Sequence, residues 1–230
     1  MAKSAWRIGG MILGGLWILG VLCGASSADL AEHLRKQNPP LIVESFLGNE
    51  GEVQRLLARG EDPDQTNRYG QTALMLAAAH GNSGIVKMLL EKGANVNPAD
   101  QAGTTALMLA AQNGNADVVD GLLEKGAAVN VVHQTGFTPL MYAAAADHAD
   151  AAARLLAAGA SISSRDKQDQ TPLIIAAINN SVRVSKLLII AGADPEEKNR
   201  KGFSARQYAE ASGRPDFIRL FTKKDAPGRS

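Results

Sequence analysis

The sequence predicts an all-α protein in which one small helical unit is repeated in a row. The first observation is a period of 33 residues that runs from Gly70 through Gly136 to Gly202. The second is that independent columns of residues keep the same step, including those that begin at Gly60 and Thr72. A period of about 33 residues indicates a stack in which each unit buries its apolar face only against its neighbours. We therefore expect one elongated domain.

Two helices are predicted in each unit. Thr72 can cap the first helix, and Pro139 and Pro172 fall in its first turn in later units, where a missing N–H is harmless. This helix is expected to be about nine residues long. It should end on a residue in the left-handed conformation, which Gly, Asn and Asp adopt most readily. The residues in that column are Gly48, Gly81, Gly114, Asp147, Asn180 and Gly213.

The second helix of each unit is marked by aliphatic residues at helical spacing, such as Val86, Leu89 and Leu90. It ends at the glycine of the Lys-Gly-Ala segment at residues 92–94 and at the equivalent glycines of later units. The chain then turns back through residues 95–97 and closes a hairpin at the next Gly or Asp. Each unit is therefore predicted to be two antiparallel helices and an outstretched loop.

One segment carries a family resemblance. Residues 136–143 read Gly-Phe-Thr-Pro-Leu-Met-Tyr-Ala, and together with the Leu-Leu…Gly-Ala segments they resemble the ankyrin repeat. The likeness covers about residues 37–220, although Met75 and Met108 stand where the family's Thr-Pro-Leu-His carries its His. The resemblance implies an ankyrin-repeat solenoid, with stacked helix-turn-helix units and β-hairpin loops.

The domain boundaries follow from the repeat phase. An ankyrin repeat domain is expected over residues 29–222, with an N-terminal capping unit at 30–66 and a C-terminal one at 199–222. The four full repeats are placed at 67–99, 100–132, 133–165 and 166–198. Arg206 takes the place of the leucine in the last unit, which supplies the polar outer face that an end unit needs. Residues 223–230 are predicted to form a disordered tail.

The first 28 residues have the pattern of a secretory signal peptide. Lys3 and Arg7 precede an apolar, Gly-rich run at residues 8–24, and small residues precede Asp29. We place the cleavage site after Ala28. The alternative is an uncleaved inner-membrane anchor, although the apolar run is shorter than the roughly 20 residues that a membrane span needs.

Charge and cysteine content bear on the compartment and the partners. The formal charge is +1, and Lys and Arg alternate with Asp and Glu, which gives no reason to expect nucleic-acid binding. Cys23 is the only cysteine and precedes the predicted cleavage site, so the mature chain would have no thiol to mispair in an oxidising compartment. We expect a monomer in the bacterial periplasm, with membrane contact only if the signal peptide is retained.

The sequence has no catalytic or metal-binding pattern. Its histidines lie in different repeat phases, and no His-x-x-x-His, Cys pair or acidic cluster of metal-ligand type is present. His148 is expected to be a local hydrogen-bonding side chain. Met75, Met108 and Met141 form a column that is expected to pack in the core. We therefore predict that the chain is not an enzyme and has no metal or cofactor.

The resemblance implies that the concave groove and the hairpin tips bind another protein. Exposed aromatics contribute most at interfaces, so Tyr69, Phe137 and Phe203 are the favoured anchors. The full set of candidate partner-binding residues is Arg68, Tyr69, Gln71, His80, Gln101, Thr104, Gln112, Asn113, Gln134, Phe137, Lys167, Gln170, Asn179 and Phe203.

Family resemblance implies two specific roles for an exported protein of this kind. Some exported bacterial ankyrin proteins support catalases in defence against peroxide. Others are immunity proteins that neutralise secreted antibacterial enzymes. A membrane-tethered scaffold is the expectation if the N-terminal segment is not cleaved.

Overall fold

A computed structural model describes residues 27–221. The predicted signal peptide, apart from Ser27 and Ala28, and the predicted tail at 223–230 lie outside the described residues. Within the described range there are thirteen α-helices, and none of them combines the length and the apolarity needed to cross a bilayer. They are α1 Ser27–Gln37, α2 Pro40–Leu47, α3 Glu50–Ala58, α4 Ala73–His80, α5 Ser83–Glu91, α6 Ala106–Asn113, α7 Ala116–Glu124, α8 Pro139–Ala145, α9 Ala149–Ala157, α10 Pro172–Ile178, α11 Val182–Ile190, α12 Ala205–Ala211 and α13 Pro215–Arg219.

The helices after α1 form a row of pairs. Each even-numbered helix packs against the odd-numbered helix that follows it, from α2 with α3 to α12 with α13. The first helices of the pairs (α2, α4, α6, α8, α10 and α12) also contact one another in sequence order, and the second helices from α3 to α11 do the same. This arrangement confirms the predicted all-α row of stacked helix pairs.

The first helices begin and end as their sequences predict. The Thr72 hydroxyl accepts a hydrogen bond from the Met75 N–H at 3.3 Å, and Thr105, Thr138, Thr171 and Ser204 cap their helices in the same way. The capped helices are seven or eight residues long, slightly shorter than expected, because the left-handed residue follows sooner. That column has φ between +56° and +78°, as predicted for Gly, Asn and Asp.

Small residues set the curvature of the row. The first helices bury Ala77, Ala110, Ala143 and Ala176 completely, and such small side chains allow helix axes to approach closely. The second helices contact one another less extensively, and a groove of about 510 Å³ separates α5 from α7 beside Gly121. The row therefore curves with its first helices inside. We call the side formed by the hairpin tips and first helices the inner face, and that of the second helices the outer face.

The loops between units are turns and not extended strands. Within the described residues the only strand-like pairings are two isolated bridges, between Thr66 and Thr72 and between Lys198 and Ser204. Successive hairpins are nevertheless joined through their backbones, because the N–H of one tip donates to a carbonyl of the preceding tip. The donors are Gln101 (to Tyr69, 3.1 Å), Gln134 (to Ala102, 3.2 Å), Lys167 (to Thr135, 3.3 Å) and Arg200 (to Gln168, 3.1 Å).

The core is continuous from the first pair to the last. Met75, Met108 and Met141 are at most 1% exposed, which confirms their predicted core packing. At the C-terminal end, Arg206 lies at the surface and pairs with Glu196, in agreement with the polar face expected there. The row of helices thus holds its hairpins along one edge, where the candidate residues lie.

Candidate functional site

The hairpins are shaped by one side chain at the start of each turn. The Asn67 Oδ1 accepts the N–H groups of Tyr69 (2.9 Å) and Gln71 (3.1 Å), and Asp100, Asp166 and Asn199 accept equivalent pairs. Together with the bonds between tips, these contacts hold the hairpin edge in one conformation. We use this term for residues 68–71, 101–104, 134–137, 167–170 and 200–203.

The third hairpin differs because His133 stands where the others carry Asn or Asp. Its Nδ1 lies 3.1 Å from the Thr135 N–H and 2.7 Å from the Thr135 hydroxyl. Burial lowers the pKa of His133, and Lys167 also lowers it, whereas Asp100 raises it. An unprotonated Nδ1 is therefore the form that accepts the turn N–H.

Most of the predicted contact residues reach the inner face, but two do not. Gln71 is 5% exposed and Thr104 is completely buried, so the prediction that they contact a partner was wrong. Gln71 is turned inward, where its side-chain oxygen accepts a hydrogen bond from the Asn67 amide at 3.1 Å. Thr104 has a side chain too short to reach past the hairpin. The predicted residues that are exposed or partly exposed are Arg68, Tyr69, His80, Gln101, Gln112, Asn113, Gln134, Phe137, Lys167, Gln170, Asn179 and Phe203.

Several of the predicted amides bond to the chain itself. The Gln101 amide donates to the Arg68 carbonyl at 3.0 Å, and the Gln134 amide donates to the Gln101 carbonyl at 2.7 Å. Asn113 and Asn179 donate to carbonyls of their own helices, at 3.0 and 2.8 Å. These four side chains therefore stabilise the inner face, and a partner would meet them with part of their hydrogen-bonding capacity already used.

At the N-terminal end of the inner face, two predicted residues pack against aromatic rings. The Arg68 guanidinium lies 4.7 Å from the centre of the Tyr69 ring, which gives a cation–π contact on the first hairpin. The His80 ring meets Phe46 edge to face, with centroids 4.6 Å apart. Desolvation lowers the pKa of His80 below its ordinary value. Both side chains remain partly open to solvent.

Two Phe–Tyr pairs lie where the hairpins meet the first helices. Phe137 contacts Tyr142 of α8 with ring centres 5.2 Å apart, and Phe203 contacts Tyr208 of α12 at 5.8 Å. Tyr142 also meets the ring of His133, and burial raises the pKa of Tyr142 to about 12. The tyrosines were absent from the predicted site. Their recurrence at the Phe spacing of 66 residues was the signal that could have found them.

A set of inter-unit hydrogen bonds was also missed. The Asn115 amide donates to the carbonyls of Ala78 (2.8 Å) and Ala79 (3.1 Å) in the preceding unit, and Asn82 donates to the Ser45 carbonyl at 3.2 Å. Asparagine recurs in this column directly after the left-handed glycine, so the period itself marked these positions. The bonds tie the outer face to the ends of the first helices.

The described residues contain no group of three or more His, Cys, Asp or Glu side chains that could hold a metal ion. His148 makes no hydrogen bond within this part of the chain, which contradicts the predicted bonding role. Its ring instead lies against Gly114, where an added β-carbon would meet the ring nitrogen at 2.4 Å. The geometry is that of a contact surface, with side chains presented outward from separate units.

Helix pairs stacked in a curved row with hairpins along one edge define a helical-repeat solenoid. The family model described as "Ankyrin repeats (3 copies)" matches residues 41–133, 122–199 and 140–228. The chain belongs to the ankyrin repeat family. No curated protein gives a significant match to it. Ankyrin repeat domains generally act as non-enzymatic modules that mediate protein–protein binding.

Proposed function

We propose that this chain is a non-enzymatic protein that binds another protein on its inner face. The row of hydrogen bonds between successive hairpins carries the proposal, because it holds Arg68, Lys167 and Phe203 of separate units on one ordered edge. Ordered contact residues lose little entropy on binding. Five hairpins and the adjacent helix ends can supply the roughly 800 Å² that a stable interface buries on each partner.

Site-specific photo-crosslinking tests the proposal. A photoreactive amino acid at Ala146 would lie on the exposed end of the inner face, and one at Lys186 would lie on the outer face as the matched control. We expect a crosslinked protein from Ala146 and none from Lys186, with mass spectrometry giving its identity. Equal labelling from both positions, or none from either, would contradict the proposed face.

We further propose that the protein works in the periplasm as a monomer, does not bind nucleic acid, and has lost residues 1–28. The support is the pattern of cations, apolar run and small residues before Asp29. Cleavage after Ala28 would also remove Trp6 and Trp17, both tryptophans of the chain. The intact mass and ultraviolet spectrum of the protein from a periplasmic fraction should therefore show residues 29–230 without indole absorbance. A full-length mass in the inner-membrane fraction would support the tethered scaffold instead.

Support of a catalase in peroxide defence is the physiological role that we propose, on the strength of the family resemblance. A deletion strain should then survive peroxide poorly and show reduced catalase activity, and plasmid-borne expression should restore both. Unchanged survival and unchanged activity would contradict this role. Capture of a secreted antibacterial enzyme at Ala146 would favour the immunity role in its place.

A further inference from the structure

The two Phe–Tyr pairs form matched apolar contact points on the inner face. Phe203 is 47% exposed and Phe137 is partly exposed, and each rests on a tyrosine of its own unit. The same hairpin position carries Gln170 in the unit between them, and Gln71 and Thr104 in the earlier units. Apolar contact at this position is therefore confined to two points on either side of the fourth hairpin.

The distance between these points selects a peptide length. Packed helices lie about 8–10 Å apart, so two units along the row correspond to roughly 16–20 Å. An extended chain advances about 3.3 Å per residue, and this gap therefore equals about five or six residues. An extended segment along the row could place one hydrophobic side chain against each pair.

The tips between and beside the pairs are basic. Lys167 and Lys201 are exposed, and neither makes an ion pair with another described residue. The nearby carboxylates are engaged elsewhere, because Asp169 pairs with Arg200 at 3.3 Å and Glu197 pairs with Arg165. Asp166 is buried and accepts N–H groups of its own turn. This part of the edge therefore carries uncompensated positive charge.

We propose that the inner face between Phe137 and Phe203 binds an extended, acidic polypeptide segment with two hydrophobic side chains about six residues apart. The inference rests on the proposed function and names the chemistry of the partner at that site. Carboxylates of the segment would meet Lys167 and Lys201, and the two apolar side chains would pack on the Phe–Tyr pairs. Nucleic acid is a poorer occupant, because the basic stretch covers only two hairpins and charge elsewhere in the chain is mixed.

Fluorescence anisotropy with designed peptides tests this inference on the mature chain. The probe is a labelled Glu/Asp peptide of about twelve residues with two phenylalanines about six residues apart, a length set by the rise of an extended chain. One control peptide of the same composition has the phenylalanines adjacent, a second has serine in their place, and an oligothymidine of similar length tests nucleic acid. We expect the spaced peptide to bind at least about fivefold more tightly than each control, the scale of one lost anchor.

Variants of the protein locate the contact. Phe203→Ala should weaken the spaced peptide by about 5–30-fold, as loss of an exposed anchor does. The pair Lys167→Glu and Lys201→Glu should weaken it by at least about tenfold and reduce its salt dependence. Lys186→Glu on the outer face is the matched reversal and should leave binding unchanged, and circular dichroism melts should show that all the variants fold.

The outcomes separate this inference from the proposed function. Equal binding of the spaced and adjacent peptides, tighter binding of oligothymidine, or indifference to the two lysine reversals would overturn it. A crosslinked partner that the lysine variant still captures would also overturn it, while the proposed function stood. Peptide binding that requires Phe203 and both lysines, and a partner lost on the same reversals, would support it.

Discussion

The two layers of the solenoid use their sequences differently. First helices such as α6 and α10 bury nearly every residue of their first two turns, whereas the second helices bury a single stripe and leave the rest in solvent. Complete burial leaves the first helices with only their ends and hairpins for recognition. The comparison teaches that the inner layer is constrained by packing along its length and free to vary at its edge, and each variant below tests that contrast.

The largest effect is expected from enlarging an alanine between first helices. Ala143 is completely buried, so Ala143→Leu should lower the free energy of unfolding by about 2–3 kcal/mol through overpacking. Ala153 is exposed on α9, and Ala153→Leu should change stability by less than about 0.5 kcal/mol. Urea unfolding followed by circular dichroism measures both. Equal losses would mean that the layers do not differ in packing as described.

The next effect concerns the closest approach of two hairpins. Gly136 has φ of +91°, and an added β-carbon would lie 2.7 Å from the Lys167 backbone nitrogen. Gly126 has a similar φ of +83° but nothing within 4 Å of that position. Gly126→Ala should cost about 1–2 kcal/mol from the left-handed backbone alone, and Gly136→Ala should cost measurably more. The matched pair isolates the steric contact, and identical urea midpoints would exclude it.

A smaller loss is expected at the bonds between layers. Asn115→Ala removes two hydrogen bonds to carbonyls of the preceding unit and should cost about 1–2 kcal/mol. Gln65→Ala, at an exposed loop position, is the control and should be nearly neutral. Thermal melts of the two variants compare them directly. A loss at Asn115 no larger than that at Gln65 would show that these bonds add nothing to stability.

The smallest effect depends on pH and on the third hairpin. Burial lowers the pKa of His133, so the fold favours its neutral ring, whose neighbours are Asp100, Lys167 and the ring of Tyr142. The contribution of this hairpin is therefore complete above pH of about 6.5 and is lost as pH falls below it. The loss should be less than about 1 kcal/mol, because solvent screens a partly exposed group.

His133→Asn is the variant that checks this pH dependence. Asparagine accepts the turn N–H groups at every pH, as Asn67 and Asn199 do in their own hairpins. The urea midpoint of the variant should vary less between neutral and mildly acidic pH than that of the parent chain. A parallel pH dependence in both proteins would assign the effect to other groups.

Much of the fold followed from the period of the sequence, and less of the site did. Repetition located the helix caps, the left-handed column and the buried methionines, because each is a local rule applied once per unit. Gln71 and Thr104 show the limit. They share a column with the exposed Phe203, yet their burial depends on side-chain length and on a bond to Asn67 that spacing does not encode.

Partners distant in sequence set a second limit. Arg35 of α1 donates to the buried Glu44 at 2.8 Å, and Asn49 donates to the same carboxylate at 2.5 Å. Although burial alone would raise the pKa of Glu44, these two hydrogen bonds and the charge of Arg35 lower it. Glu44 occurs once, outside any recurring column, so the repeat contained no signal for this contact at the N-terminal end of the row.

Hydrogen–deuterium exchange of the mature chain, alone and with its crosslinked partner, tests most directly whether the inner face binds a protein. We expect protection of the hairpin edge, strongest at residues 134–137, 167–170 and 200–203, and unchanged exchange in α5, α7, α9 and α11. Protection confined to those second helices, with the hairpins unaffected, would contradict the account.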